Sequence, residues 1–212
     1  AVLWPAQSVA PTPANRIRFH YLRRWLAGRI LDVGAGNAVL ARTCRRLDIT
    51  SCDQVIVGLR GAPDSSLCCE AANLPLADGS FDTVVCCETL EHLSDDLAAV
   101  VEAFRVLKPG GRYLVTVPLL PLALAEALHV RRTFRVWPSL HNLGVWDPFH
   151  VRRYSATGAV ALVERAGFWV LAQHTLFRIP STFSLYWLDP LLCRVKLRLS
   201  PTFAAGTMLD PY

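Results

Sequence analysis

Three groups of residues in this chain have the types and spacing to do chemistry. The first is Asp32, Gly34 and Gly36 in "ILDVGAGNAVL", residues 30–40. An apolar run followed by two glycines one residue apart predicts a strand feeding a tight turn. There the backbone approaches a nucleotide-like ligand and the next helix offers free N–H groups. The second is Asp53, at the end of "LDITSCD" and 19 residues after Gly34. That is the offset at which a carboxylate on the second strand of a βαβ unit receives a ribose diol. The third is "ETLEHL", in which Glu88, Glu91 and His92 stand at i, i+3 and i+4. A helical turn would put all three on one face. Two carboxylates and one imidazole would suit Mg²⁺ or Mn²⁺.

The glycine register discriminates between cofactors. With Gly34 and Gly36 fixed, a dinucleotide loop of the form GxGxxG requires glycine at position 39, where Val39 stands. A GxGxG loop requires it at 38, where Ala38 is the smallest departure.

These residues must be held by alternating elements. Ile17, Tyr21 and Trp25, four apart, predict an amphipathic helix over 15–27 ended by Gly28. Then follow strand 29–33, helix 37–47, strand 48–52, strand 67–70, strand 82–87, helix 94–107, strand 111–117, helix 155–166, strand 168–174 and a last strand near 203–209. "SDDL" is an N-cap with acids in the first turn of helix 94–107, and "KPGG" is its stop. Strands separated by helices predict βαβ units and a parallel sheet, an α/β fold. Ligands in such sheets sit beyond the strand C-termini. The irregular stretch 118–154 leaves one of those ends and is the expected substrate cover. Residues 1–14 form an N-terminal arm and 15–212 a single domain.

Composition narrows the field. An apolar fraction of 52% in 212 residues supports a packed domain rather than disorder. The charge of +5, carried by 20 Arg and 2 Lys, permits an anionic partner without selecting one. No run of five like charges marks a nucleic-acid arm. The most apolar stretch, 113–130, is interrupted by Pro118, Pro121, Glu126 and His129, which argues against a membrane span. Peripheral contact with a membrane stays open. Seven cysteines without a CxxC read as buried thiols of a reduced, cytoplasmic protein.

Four segments together resemble the class I S-adenosylmethionine-dependent methyltransferases, in the broad branch that includes ubiquinone-pathway and small-molecule enzymes. They are "ILDVGAGNAVL", "CEAANLPLADGSFDTVVCCETLEHL", "VLKPGGRYLVTVP" and "HVRRYSATGAVALVERAGFWV", within about residues 15–175. The resemblance implies a Rossmann-like three-layer sandwich with a seven-stranded sheet of order 3-2-1-4-5-7-6, strand seven antiparallel. It implies S-adenosyl-L-methionine as cofactor. Gly34, Ala35 and Gly36 would pass close to its methionine part, and Asp32 would lie beneath the loop. Asp53 would bind the ribose. Glu70, followed by Ala71, would face the adenine, and Cys87 would lie beside the methionine. Only 16 residues separate Asp53 from Glu70, so the helix usual between strands two and three is expected to be short or absent.

Methyl transfer from a sulfonium is an in-line displacement, so alignment is the main demand and a base is needed only where the acceptor must lose a proton. His92 and His150 are the candidate bases. No metal is assigned; Glu88, Glu91 and His92 are the set that would hold one. Arg131, Arg132, Arg135, Arg152 and Arg153 flank the expected pocket and would meet an anionic group of the acceptor. The expected reaction moves a methyl group to an O, N or C nucleophile on a small, partly apolar or anionic molecule. The rival readings are a non-catalytic methyltransferase-like subunit, an NAD(P)-dependent oxidoreductase and an RNA methyltransferase.

Overall fold

The computed structural model describes residues 13–55, 65–118, 150–152, 154–174 and 207–211. In chain order they form α1 (Pro13–Leu22), β1 (Arg29–Val33), α2 (Val39–Thr43), β2 (Asp48–Asp53), β3 (Ser66–Cys68), β4 (Phe81–Cys87), a 3₁₀ turn (Leu90–His92), α3 (Asp96–Val106), β5 (Leu107–Thr116), α4 (Ala156–Arg165), β6 (Phe168–Gln173) and β7 (Thr207–Pro211). Residues 1–12 of the expected arm at 1–14, residues 119–149 and 153 of the expected cover at 118–154, and the connection at 56–64 lie outside the described residues, and Pro13 and Ala14 belong to α1 rather than to an arm.

One sheet runs β3-β2-β1-β4-β5-β7-β6. β1 pairs in parallel with β2 and β4, β4 with β5, and β2 with β3. β7 pairs antiparallel with β5 and β6. Side-chain alternation assigns the two faces. Leu31 and Val33 of β1, Val84 and Cys86 of β4, and Tyr113 and Val115 of β5 join the cluster with Ala99, Val100 and Ala103 of α3 and Leu162 and Val163 of α4. Ile30, Val85 and Leu114, one residue out of phase, join the other cluster with Phe19 and Leu22 of α1 and Leu40 and Ala41 of α2. Central strands buried on both faces read as continuous apolar runs, which is why they stand out in the sequence. Phe168 is stacked on Tyr113 and edge-on to Phe104, and closes the first core.

The elements occur where expected, but several helices are shorter. α1 ends at Leu22, six residues before Gly28. Trp25 N–H donates to Leu22 C=O and closes a turn there. Gly28 serves the entry to β1 instead: φ is +63° and an added Cβ would come within 2.6 Å of the Asp82 side chain. α2 begins only at Val39, because Gly36 and Ala38 both take left-handed backbone angles (φ 52° each). It ends at Thr43, where Cys44 leaves helical geometry. The N-caps of α3 and α4 are Asp95, which accepts from Ala98 N–H at 2.9 Å, and Ser155, which accepts from Gly158 N–H at 2.9 Å. "KPGG" ends no helix itself. α3 stops at Val106, and β5 bulges through these residues, with Lys108 paired to Asp82 at 2.7 Å.

Candidate functional site

The first four strands in the sheet's parallel part end on one side, and the predicted residues gather there. Gly34 follows β1 with φ +70°, and an added Cβ would meet the Thr89 side chain at 2.3 Å. Ala35 N–H donates to Cys52 C=O at 2.9 Å, and Gly36 N–H to Asp53 Oδ2 at 2.8 Å. Asp53 Oδ1 accepts from Val55 N–H at 2.8 Å. Asp53 thus ties the glycine loop to the turn that leaves β2. The outer side of Gly36 is open: an added Cβ would meet nothing within 4 Å. A ligand can therefore lie directly against that backbone.

Asp32 is buried beneath the loop, 5% exposed. Burial, and then the neighbouring Asp53 carboxylate, push its pKa from 3.8 up to about 7. A carboxyl whose pKa rises on folding holds its proton more tightly in the folded chain. Its favourable contribution is therefore fully present below pH 3.8 and is lost as pH climbs to about 7. The size is about 4 kcal/mol, at 1.4 kcal/mol per tenfold. Thermal melts of the cofactor-free protein are expected to show this fall between pH 4 and 7, and Asp32→Asn is expected to flatten it. A pH profile identical in the two proteins would contradict the assignment.

Cys87 is half-buried at the end of β4, and burial raises its thiol to about 12. It is neutral near pH 7 and suited to packing rather than nucleophilic attack. Six cysteines are described, all free thiols. Ala71 is half-buried and packs on the core. Glu70 is exposed and lies two residues past the end of β3, in a turn where its C=O accepts from Asn73 N–H at 3.1 Å.

The "ETLEHL" cluster is rearranged. Glu88 takes φ +50°, and the 3₁₀ turn starts only at Leu90. The i, i+3, i+4 reading needed a continuous α-helical turn, and that turn is absent here. The Glu88 carboxylate instead accepts from Thr116 Oγ1 at 2.8 Å and pairs with Arg18 at 3.4 Å. Glu91 and His92 meet His150 in its place, with one ligand atom from each all within 4.8 Å. Glu91 is fully buried, its Oε1 is 4.0 Å from His150 Nε2, and the two imidazoles stand edge to face at 4.7 Å. The segment 150–154 is held there by backbone and side chain. Val151 N–H donates to Glu91 C=O at 2.9 Å, Arg152 pairs with Asp96, and Tyr154 OH donates to Asp96 Oδ2 at 2.7 Å. Arg152 therefore anchors His150 and is not free for an acceptor. Arg131, Arg132, Arg135 and Arg153 lie outside the described residues.

Sequence reasoning missed Arg18. It projects from α1 toward the β4 end, with its side chain only 11% exposed. One guanidinium nitrogen donates to Asn15 Oδ1 at 2.9 Å and another faces Glu88. Its buried Nε has no hydrogen-bond partner among the described residues. A buried donor left unmade costs free energy, which a ligand oxygen would recover. One arginine among twenty carries no signal in the sequence; only the return of α1 to the sheet's C-terminal edge singles it out.

Residues 31–115 match the family described as a methyltransferase domain. A probable S-adenosylmethionine-dependent methyltransferase of Mycolicibacterium smegmatis is 40% identical over 97 residues, 46% of this chain and 32% of that protein. A ubiquinone biosynthesis O-methyltransferase of Xanthomonas oryzae pv. oryzae is 36% identical over 131 residues, 54% of each chain. The chain thus spans about a third of the first relative and about half of the second. The structure of a Thermotoga maritima S-adenosylmethionine-dependent methyltransferase, a possible histamine N-methyltransferase, superposes with a TM-score of 0.59 at 22% identity, covering 93% of this chain and 84% of that one. That likeness speaks for the fold alone. Residues 31–115 are thus similar to a methyltransferase domain and to S-adenosylmethionine-dependent relatives, and the fold is that of a solved methyltransferase of the same cofactor class. The similarity extends to proteins named ubiquinone biosynthesis O-methyltransferase and demethylmenaquinone methyltransferase.

Proposed function

We propose that this protein transfers a methyl group from S-adenosyl-L-methionine to a hydroxyl of a small acceptor. The observation that carries the choice of hydroxyl is the Glu91–His92–His150 cluster just beyond β4, on the same sheet edge as the glycine loop. A similar protein named a ubiquinone biosynthesis O-methyltransferase supports a quinone precursor as acceptor.

The residues fit the cofactor. The open backbone at Gly36 receives its methionine part, Asp32 beneath the loop favours a cationic amino group when ionised, and the Arg18 guanidinium is the counter-charge for a carboxylate. Asp53 offers its carboxylate to the ribose diol. Glu70, exposed beyond β3, is assigned by the resemblance to the adenine, and Ala71 and Cys87 to the cofactor's surroundings. The cofactor supplies a methyl group already activated on sulfur for in-line displacement. His150 would take the acceptor's hydroxyl proton, and Glu91 would stabilise the imidazolium that forms. His92, edge-on to His150, limits its rotation.

Calorimetry with S-adenosylhomocysteine tests the reading. Wild type is expected to bind, and Arg18→Ala to bind about tenfold or more weakly, the cost of one charge-assisted contact. Absence of any binding by wild type would overturn the proposal.

The same three side chains favour a second reading, since two imidazoles and a carboxylate are ligands for a divalent cation. Under that reading EDTA abolishes turnover and added Mg²⁺ or Mn²⁺ restores it. Under the general-base reading, turnover on a panel of hydroxylated aromatic acceptors is the same with and without EDTA, and this is the expected result.

A further inference from the structure

The sheet edge opposite the cofactor loop carries a second concentration of charge. Arg23, Arg24, Arg45 and Arg46, with Thr43, Cys44 and Leu47, line an open groove of about 600 Å³. Its position follows from the chain path. α1 leaves the cofactor edge, where Arg18 meets Glu88, and ends at Leu22 just before the groove. α2 leaves the glycine loop and ends at Thr43, and β2 starts at Asp48. The groove therefore sits at the N-terminal ends of β1 and β2. Asp53 lies at the other end of β2, five residues beyond Asp48, roughly 17 Å away at about 3.3 Å per residue.

All four arginines are exposed, and among the described residues none has a carboxylate partner. Arg18, Arg105 and Arg152, elsewhere in the fold, each meet one. Arg24 is held 3.9 Å over the Tyr21 ring, and Arg45 Nε donates to Arg42 C=O at 3.4 Å, so two of the four guanidiniums are already positioned. Cations near a helix C-terminus offset its dipole, which accounts for about half a charge per helix. Two short helices do not account for four guanidiniums around one groove. Their mutual repulsion is what an anion relieves.

We propose that this groove is a binding site for a polyphosphate anion of nucleotide-ligand size, separate from the cofactor site. Guanidiniums pair bidentately with phosphate oxygens, and several of them around one groove match several phosphates on one ligand. The volume lies within the roughly 300–1,000 Å³ of small-ligand sites. An anionic membrane fits less well: docking through this edge would turn Asp53 and His150 away from the lipid.

The test is calorimetry of the whole chain with inorganic tripolyphosphate at low salt, with S-adenosylhomocysteine in excess so that the cofactor site does not contribute. Wild type is expected to bind. The double variant Arg23→Ala/Arg45→Ala is expected to lose at least tenfold in affinity, with unchanged melting temperature and unchanged affinity for S-adenosylhomocysteine. Arg165→Ala, an exposed arginine on α4, is expected to bind like wild type. The proposal is overturned by no binding at millimolar tripolyphosphate or by equal binding in the double variant. It is also overturned if an RNA oligonucleotide or anionic vesicles bind under conditions where tripolyphosphate does not.

Discussion

His150→Ala is expected to lower kcat by about a hundredfold to ten-thousandfold, the usual contribution of one positioned general base. His150 Nε2 faces the buried Glu91 carboxylate at 4.0 Å, and among the described residues His92 is the one other imidazole in the cluster. Catalytic contacts of this length tighten when the acceptor closes the site. The variant should keep its affinity for S-adenosylhomocysteine, because the glycine loop and Asp53 are built on β1 and β2. Added imidazole should restore part of the rate if His150 moves a proton. A kcat within threefold of wild type would remove the base from the proposal, and imidazole rescue sets a base apart from a side chain that only packs.

Asp53→Ala is expected to weaken S-adenosylhomocysteine binding about a hundredfold. Hydrogen bonds to a charged carboxylate contribute about 1.5–3 kcal/mol each. The substitution removes two such bonds within the protein, from Gly36 and Val55, besides those to the ribose diol. Asp53→Asn separates the parts. It keeps an oxygen for one backbone donor but removes the charge that helps raise the Asp32 pKa. Asp32 should then titrate lower than in wild type, and the pH dependence of thermal stability should shift with it. Calorimetry on both variants decides the matter; wild-type affinity in Asp53→Ala would mean that the cofactor lies elsewhere.

Much of the fold was legible before any coordinates because its central strands are buried on both faces. "RILDV", "FDTVVCC" and "RYLVTV" cannot be read as amphipathic surface elements, and the caps at Asp95 and Ser155 mark helix starts with local chemistry. Helix lengths were less legible. The end of α1 at Leu22 and the start of α2 at Val39 depend on a turn closed by Trp25 and on left-handed angles at Gly36 and Ala38. A hydrophobic period records neither. Glu70 was expected at the end of a strand, yet β3 stops at Cys68, because only three residue pairs join it to β2.

By itself the sequence determined the parallel α/β architecture, the glycine loop, and the carboxylate of Asp53 at the next strand end. All three depend on local pattern and on short separations along one βαβ unit. Tertiary structure alone decided the membership of the second cluster. His150 is 58 positions from His92 and reaches it through the Val151–Glu91 backbone bond and the Arg152–Asp96 pair. Glu88 is four positions from His92, yet a left-handed residue turns it toward Arg18 and Thr116. Spacing predicts neighbours only while the backbone between them stays regular. Where one residue breaks the helix, the contacts are set by what the rest of the chain brings to that edge of the sheet.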